Sequence, residues 1–390
     1  MPSESMNIRA STLAGWPMTK SLSGPTTYEV LRDHGVDRRT FLKFATGITA
    51  TMGLEATFVP QVVHALESKP RIPVLWMEGL SCTCCTESFI RSSHPLVGDV
   101  ILNMLSLDYH PTIQVAAGFQ AEEIVDKLIH DKPGQYVLAV EGNAPLADGG
   151  VYCLEGGRTF EDRLREAASK ARFVVAWGNC ASAGCVQAAA PNPTQATPIG
   201  KMISDKPVIN VSGCPPIPIV MTGILTYILT FDRLPELDRL GRPKMFYQHR
   251  IHDKCYRRAF FDAGQYVQSW DDEGARLGHC LYKMGCRGPT TYNYCSTFKW
   301  NDGVSWPVGS GHGCLGCSEP GFWDDGPFFQ RLANIPQINI DSWPETVGKV
   351  VAGAAAIGAG AHAVSAIAKN AVKPTEKVPV ESSSGVKGEE

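Results

Sequence analysis

The 390-residue chain has no excess of charge of either sign. Its 36 Lys and Arg stand against 39 Asp and Glu, a net charge of −3. Nucleic-acid binding usually needs a strong basic face, so nucleic acid is not expected as a partner. An even set of cysteines is also missing. The count is 13, and an odd number in a chain this long fits a disulfide framework poorly. Beyond about Tyr247, strand-like runs are missing too, and Gly, Pro, aromatics and cysteines take over. Apolar residues make up 44%. That is ordinary for a globular chain, and the length suggests two domains with attachments.

The attachments are at the ends. Residues 1–36 are polar, without helical or strand period. Next comes "DRRTFLKFATGITATMGLEATFVPQVVHA", with Arg38 and Arg39 followed by Phe41, Leu42 and Lys43. A modest apolar run leads to Val63-His64-Ala65, a small-x-small cleavage candidate. This order predicts a twin-arginine export signal over 1–65; the plainer reading is an amphipathic helix with two surface arginines. At the other end, "VVAGAAAIGAGAHAVSAIA" is uncharged but weakly hydrophobic. As a helix it spans roughly 28 Å, near the hydrocarbon thickness of about 30 Å. A membrane anchor over 346–369 is expected. Lys369, Lys373 and Lys377 follow it and put the 370–390 tail, read as disordered, on the cytoplasmic side.

Residues 66–247 read as α/β. Apolar runs start at Ile72, Tyr136, Phe173 and Pro207, with a weaker one at Thr112. Helical stretches such as "AEEIVDKLIHD" and "FEDRLREAASKA" alternate with them, which predicts a parallel sheet covered by helices. The chemistry falls where these runs end. Cys82, Cys84 and Cys85 follow the first, Glu141 closes the second, Cys180 ends the third and Cys214 the fourth. Ligands of open parallel sheets bind at the carboxyl ends of the strands. Four cysteines delivered there suit an iron–sulfur cluster; zinc also takes four.

Residues 248–340 read as an irregular domain. His252-x-x-Cys255, Cys280 and Cys286 make one set of four ligands. Cys295, Cys314 and Cys317 make a set of three, with Pro307 at the next candidate position. That suits a cluster lacking one iron corner, and a region so poor in regular elements would be stabilised by its metal groups.

Taken together, these residues resemble the small, electron-transfer subunit of membrane-bound nickel–iron hydrogenases, over nearly the whole chain. The resemblance implies a flavodoxin-like first domain with a proximal cluster on Cys82, Cys85, Cys180 and Cys214. It implies a distal 4Fe-4S cluster on His252, Cys255, Cys280 and Cys286. A medial 3Fe-4S cluster falls to Cys295, Cys314 and Cys317. The hydrogen-splitting nickel–iron site belongs to a large-subunit partner, so no catalytic residue is expected in this chain. A heterodimer, or a dimer of heterodimers, on the periplasmic side of the inner membrane would deliver electrons to a membrane cytochrome b and then quinone, with lipid around the anchor.

Two departures from the common family pattern occur together: Cys84 and Cys185 replace glycines beside proximal ligands. This resembles the oxygen-tolerant subgroup, whose proximal cluster is a six-cysteine 4Fe-3S cluster rather than 4Fe-4S. Added thiolates favour a more oxidised cluster. By the same resemblance, Glu141 would supply a carboxylate to an iron. The plainer reading of Cys84 and Cys185 is two small buried residues. Cys153 has no partner and reads as a free buried cysteine. Glu78 and Glu87 flank the proximal set as proton relays or exposed acids. His362 sits in the expected anchor as a haem-side or an interfacial histidine. The competing readings are a complex I-like small subunit, a hydrogen-sensor subunit and an exported zinc or disulfide protein.

Overall fold

The computed structural model describes residues 24–330 and 343–371, with side-chain exposure in the latter given for 353–367. The chain divides into two units, Met1–Leu332 and Ala333–Glu390.

The first unit is built on a five-stranded sheet: β1 (Ile72–Glu78), β2 (Leu105–Tyr109), β3 (Val137–Glu141), β4 (Phe173–Trp177) and β5 (Val208–Val211). All neighbours pair in parallel, in the order β2-β1-β3-β4-β5. That is the flavodoxin-like order, whose crevice lies between β1 and β3 where the winding reverses. The register sets Glu78 opposite Glu141, Glu141 opposite Trp177, and Trp177 opposite Val211. Four loops therefore leave the sheet along one edge.

Four of the five expected strands form as read, because strands buried on both faces are continuous apolar runs. The fifth does not. The edge strand is Leu105–Tyr109, and the Thr112 stretch expected as a strand is a turn. Pro111 ends the pairing, since it has no N–H to give a ladder.

Successive side chains alternate between two cores. Val74, Trp76, Ala139, Val175 and Trp177 face one, and Leu75, Met77, Leu138, Val140 and Ala176 face the other. The second core is closed by Phe119–Asp131 and Phe160–Lys170, through Val125, Leu128, Phe160 and Leu164. The first is closed by Pro218–Phe231, a helix that is apolar on most sides and buried accordingly.

That helix packs in turn against two helices of the expected signal segment, Arg38–Thr51 and Val59–Ser68. Phe41, Ala45, Ile48 and Met52 recur every three or four residues and are fully buried, as are Val62 and Leu66. Arg38 lies off this face and pairs with Glu67. The described part of the expected export segment thus folds onto the first core; residues 1–23 lie outside the described residues.

Among the described residues between Phe231 and Trp343, no strand forms and no helix exceeds five residues. This stretch lies in the same unit as the sheet.

In the second unit, Trp343–Ala371 forms one helix of 29 residues, exposed over 353–367 and including His362. Among the described residues, no helix is long and apolar enough to cross a membrane. The expected anchor over 346–369 extends beyond the residues whose side chains are described. The tail from 372 lies outside the described residues.

Phe41→Ala should cost the unprocessed chain about 3–5 kcal/mol of local stability, from a fully buried ring. Hydrogen exchange across 38–68 should rise in the variant, and unchanged protection would show that this helix is not packed as described.

Candidate metal centres

The loop after β1 turns into a seven-residue helix, Cys84–Ile90, that starts at the paired thiols. The first N–H groups of a helix have no partner inside it. Here the N–H groups of Cys85 and Thr86 donate to the two Glu141 oxygens at 2.9 and 3.0 Å. Thr86 Oγ1 donates to Glu141 Oε2 at 2.6 Å. The last residue of β3 thereby fixes the helix that carries Cys84 and Cys85. Glu141 is 1% exposed, and burial raises its pKa against the lowering effect of these hydrogen bonds.

Behind this contact lies His110, also 1% exposed and stacked on Trp76 at 4.8 Å. Burial lowers its pKa to about 4, so the ring is neutral. Its Nδ1 accepts from the Thr112 N–H at 3.2 Å, which leaves Nε2 facing Thr86 Oγ1 at 3.3 Å. Glu78 accepts from Thr112 Oγ1 at 3.1 Å and lies 3.1 Å from Thr86 Oγ1, whose proton goes to Glu141. Glu87 is the exposed acid, 3.9 Å from Arg91.

The loops after β4 and β5 bring the remaining thiols of the first set. Gly178 opens the short helix Gly178–Ala183, which carries Cys180, and takes φ +79°. A β-carbon there would sit 2.5 Å from Cys85 Sγ. Cys185 Sγ lies 3.9 Å from Cys214 Sγ. Hydrogen bonding from Cys180 and Cys214 pulls the Cys185 thiol down to about 3 and pushes the two donors up. A hydrogen bond with Cys82 raises Cys84 to about 11, and burial raises Cys85 well above the usual thiol value. All six cysteines and Glu141 therefore meet at one sheet edge.

The second set lines a small cavity: His252, Cys255, Cys280 and Cys286, closed by Ile251 and Leu281. His252 is buried, its pKa is lowered to about 4 by burial, and its Nε2 has no hydrogen-bond partner. Burial raises Cys280 to about 12. In the third set, Cys295, Cys314 and Cys317 are within electrostatic reach of one another, and burial lifts all three. Pro307 is exposed between buried Trp306 and Val308.

The sets adjoin in order. Cys317 lies within electrostatic reach of Cys185 and Cys214, and Asn179 donates to the carbonyls of Cys317 and Glu319 at 2.8 and 3.0 Å. The Cys314 N–H donates to Cys286 Sγ at 3.2 Å.

Two family descriptions match the chain. The 20 Kd subunit of NADH ubiquinone oxidoreductase matches over 82–228, and the C-terminal part of the NiFe/NiFeSe hydrogenase small subunit over 247–330. The Hydrogenase-1 small chain of Citrobacter freundii is 60% identical over 339 residues, covering 87% of this chain and 90% of that one. The uptake hydrogenase small subunit of Cupriavidus necator is 58% identical over 354 residues, covering 90% and 98%. This chain belongs to the small subunits of nickel–iron hydrogenases. The [NiFeSe] hydrogenase of Desulfovibrio vulgaris Hildenborough matches in structure with a TM-score of 0.63 and 34% identity, over 67% of this chain and 99% of that one. The complex I-like likeness is confined to the first domain, whereas the hydrogenase relatives run through both. As a hydrogenase small subunit, the chain works with a large subunit that holds the catalytic nickel–iron site.

The residues present fit iron–sulfur clusters better than zinc. None of the thirteen cysteines is disulfide-bonded. Among the described residues, no three His, Cys, Asp or Glu side chains converge as on a single metal ion. A zinc ion needs its ligands around one point. Thiolates on a multi-iron cluster each meet a different iron, so they ring a volume instead. The unpartnered buried nitrogen of His252 and the space kept open at Gly178 suit such a group.

Sequence reasoning missed Thr86 and His110. His110 follows the edge strand, and its position would have been noticed had that strand been placed at Leu105. Cys153 is half-buried beside the second core and stands apart from the three sets.

Gly178→Ala should push Cys85 aside. Iron bound per chain should fall in the variant, and unchanged iron would remove the packing argument.

Proposed function

We propose that this subunit relays electrons released by hydrogen oxidation through three iron–sulfur clusters to a membrane cytochrome b and quinone. Cys82, Cys84, Cys85, Cys180, Cys185 and Cys214 would hold a proximal 4Fe-3S cluster, with Glu141 beside it. Cys295, Cys314 and Cys317 would hold a medial 3Fe-4S cluster. His252, Cys255, Cys280 and Cys286 would hold a distal 4Fe-4S cluster. When bound, such clusters supply one-electron steps at potentials set by charge, hydrogen bonding and exposure. The observation that carries the reading is the adjacency of the three sets, from Cys185 and Cys214 to Cys317 and from Cys314 to Cys286.

The protein's own residues have distinct tasks in this reading. Glu141 pins the thiol-bearing helix and keeps a carboxylate at the cluster edge. Thr86 and His110 hold that carboxylate in place without adding charge. Cys84 and Cys185 add two thiolates to the usual four, which supports an oxygen-tolerant proximal cluster able to give up electrons in succession. The twin arginines support export of the folded complex to the periplasmic side of the inner membrane. A heterodimer with the large subunit, or a pair of them, would then meet the cytochrome b.

Redox-titrated electron paramagnetic resonance on the purified complex tests this. A three-iron signal beside two successive one-electron steps from the proximal cluster is the expected result. Absence of iron would overturn it. Changing Cys84 and Cys185 to Gly should leave hydrogen oxidation intact under argon and make it fail in air. Equal activity in air would remove the six-cysteine assignment. Replacing Arg38 and Arg39 with Lys should keep the complex in the cytoplasm, as read by fractionation; normal export would remove the signal assignment.

A further inference from the structure

Cys185 takes φ +51°, in the left-handed region that favours glycine. A β-carbon is held there against preference, so the position of its thiol calls for a physical account. Its Sγ has one donor from the second domain: the indole N–H of Trp323, at 3.0 Å. Trp323 is 39% exposed, yet its segment is firmly held. The guanidinium of Arg287 donates to the carbonyls of Phe322 and Gly326, each at 2.6 Å, and is itself buried. Ala190, five residues after Cys185, donates its N–H to Asp324 at 3.2 Å. The Trp323 ring meets Phe328 edge-on at 5.1 Å and Phe322 at 5.4 Å. The second domain thus presents a fixed, uncharged N–H to one of the two added thiols. Within the proximal set, Cys185 is the cysteine that receives an indole N–H from the second domain, while Cys180 is hydrogen-bonded by the side chain of Gln187 from its own domain.

A donor aimed at a thiolate sulfur draws electron density from the iron it binds and favours the reduced cluster. We propose that Trp323 is a positioning residue for the proximal cluster: its indole N–H holds the Cys185 thiolate and raises that cluster's reduction potential. This rests on the six-cysteine reading given above. It adds a residue from outside the proximal domain that no cysteine spacing would reveal.

Trp323→Phe keeps an aromatic ring and removes the N–H. In the purified complex with its large subunit, redox-titrated electron paramagnetic resonance should show the proximal steps moved to lower potential. A tenfold change in the reduction equilibrium reads as about 59 mV for one electron. The medial and distal potentials should stay where they were, which a merely structural loosening would not ensure. Proximal steps that are present and unmoved overturn the proposal. A second measurement uses the unaltered complex, grown with indole-¹⁵N tryptophan. Pulsed resonance on the proximal signal should find a weak ¹⁵N coupling, and its absence overturns the proposal even if the variant fails to assemble. A complex with no proximal signature in any redox state would overturn the six-cysteine reading and this proposal together.

Discussion

Two backbone N–H groups at the start of a seven-residue helix converge on one buried carboxylate, and the placement of the proximal thiols follows from that contact. Without Glu141, the helix beginning at Cys84 would have two orphan donors in a dry setting, each costing about 1–3 kcal/mol. With it, the paired cysteines are tied to the end of β3 in the middle of the sheet. The neighbouring strands then fix where Cys180 and Cys214 arrive. Burial raises the carboxyl's pKa, but the N–H donors favour its charged form. The same group therefore serves the backbone and stands where a metal would feel its charge.

The two domains use opposite means to hold their sulfurs. In the first, a parallel sheet with a core on each face gathers four loops at one edge, and the thiols inherit the rigidity of the strands. In the second, almost no regular backbone is available. There the sulfurs are held by a mesh of turns, by buried Arg287, and by contacts with the first domain through Asn179 and Arg242. A region of this kind gains much of its order from what its ligands bind.

The sequence made the site more legible than its support. Buried parallel strands announce themselves as runs such as "PVLWME", and cysteines at their ends point to the edge where ligands gather. The edge strand was obscured because only Leu105 and Tyr109 of its five residues are buried. The carboxy-terminal helix was legible in the sequence as a long uncharged stretch. The helix from Arg38 shows its apolar period in sequence, but its partner face lies some 180 residues away on Pro218–Phe231. Thr86, His110 and Trp323 act through neighbours distant in the chain, so no local pattern marks them.

The backbone at Cys185 has an evolutionary corollary. An L-residue held in the left-handed region costs roughly 1–2 kcal/mol compared with a right-handed one, and glycine escapes most of that. Drift from cysteine to glycine at this site is downhill for the fold. The fold therefore gives up this thiol more easily than it would accept it back, so its presence at this position needs a reason outside the backbone.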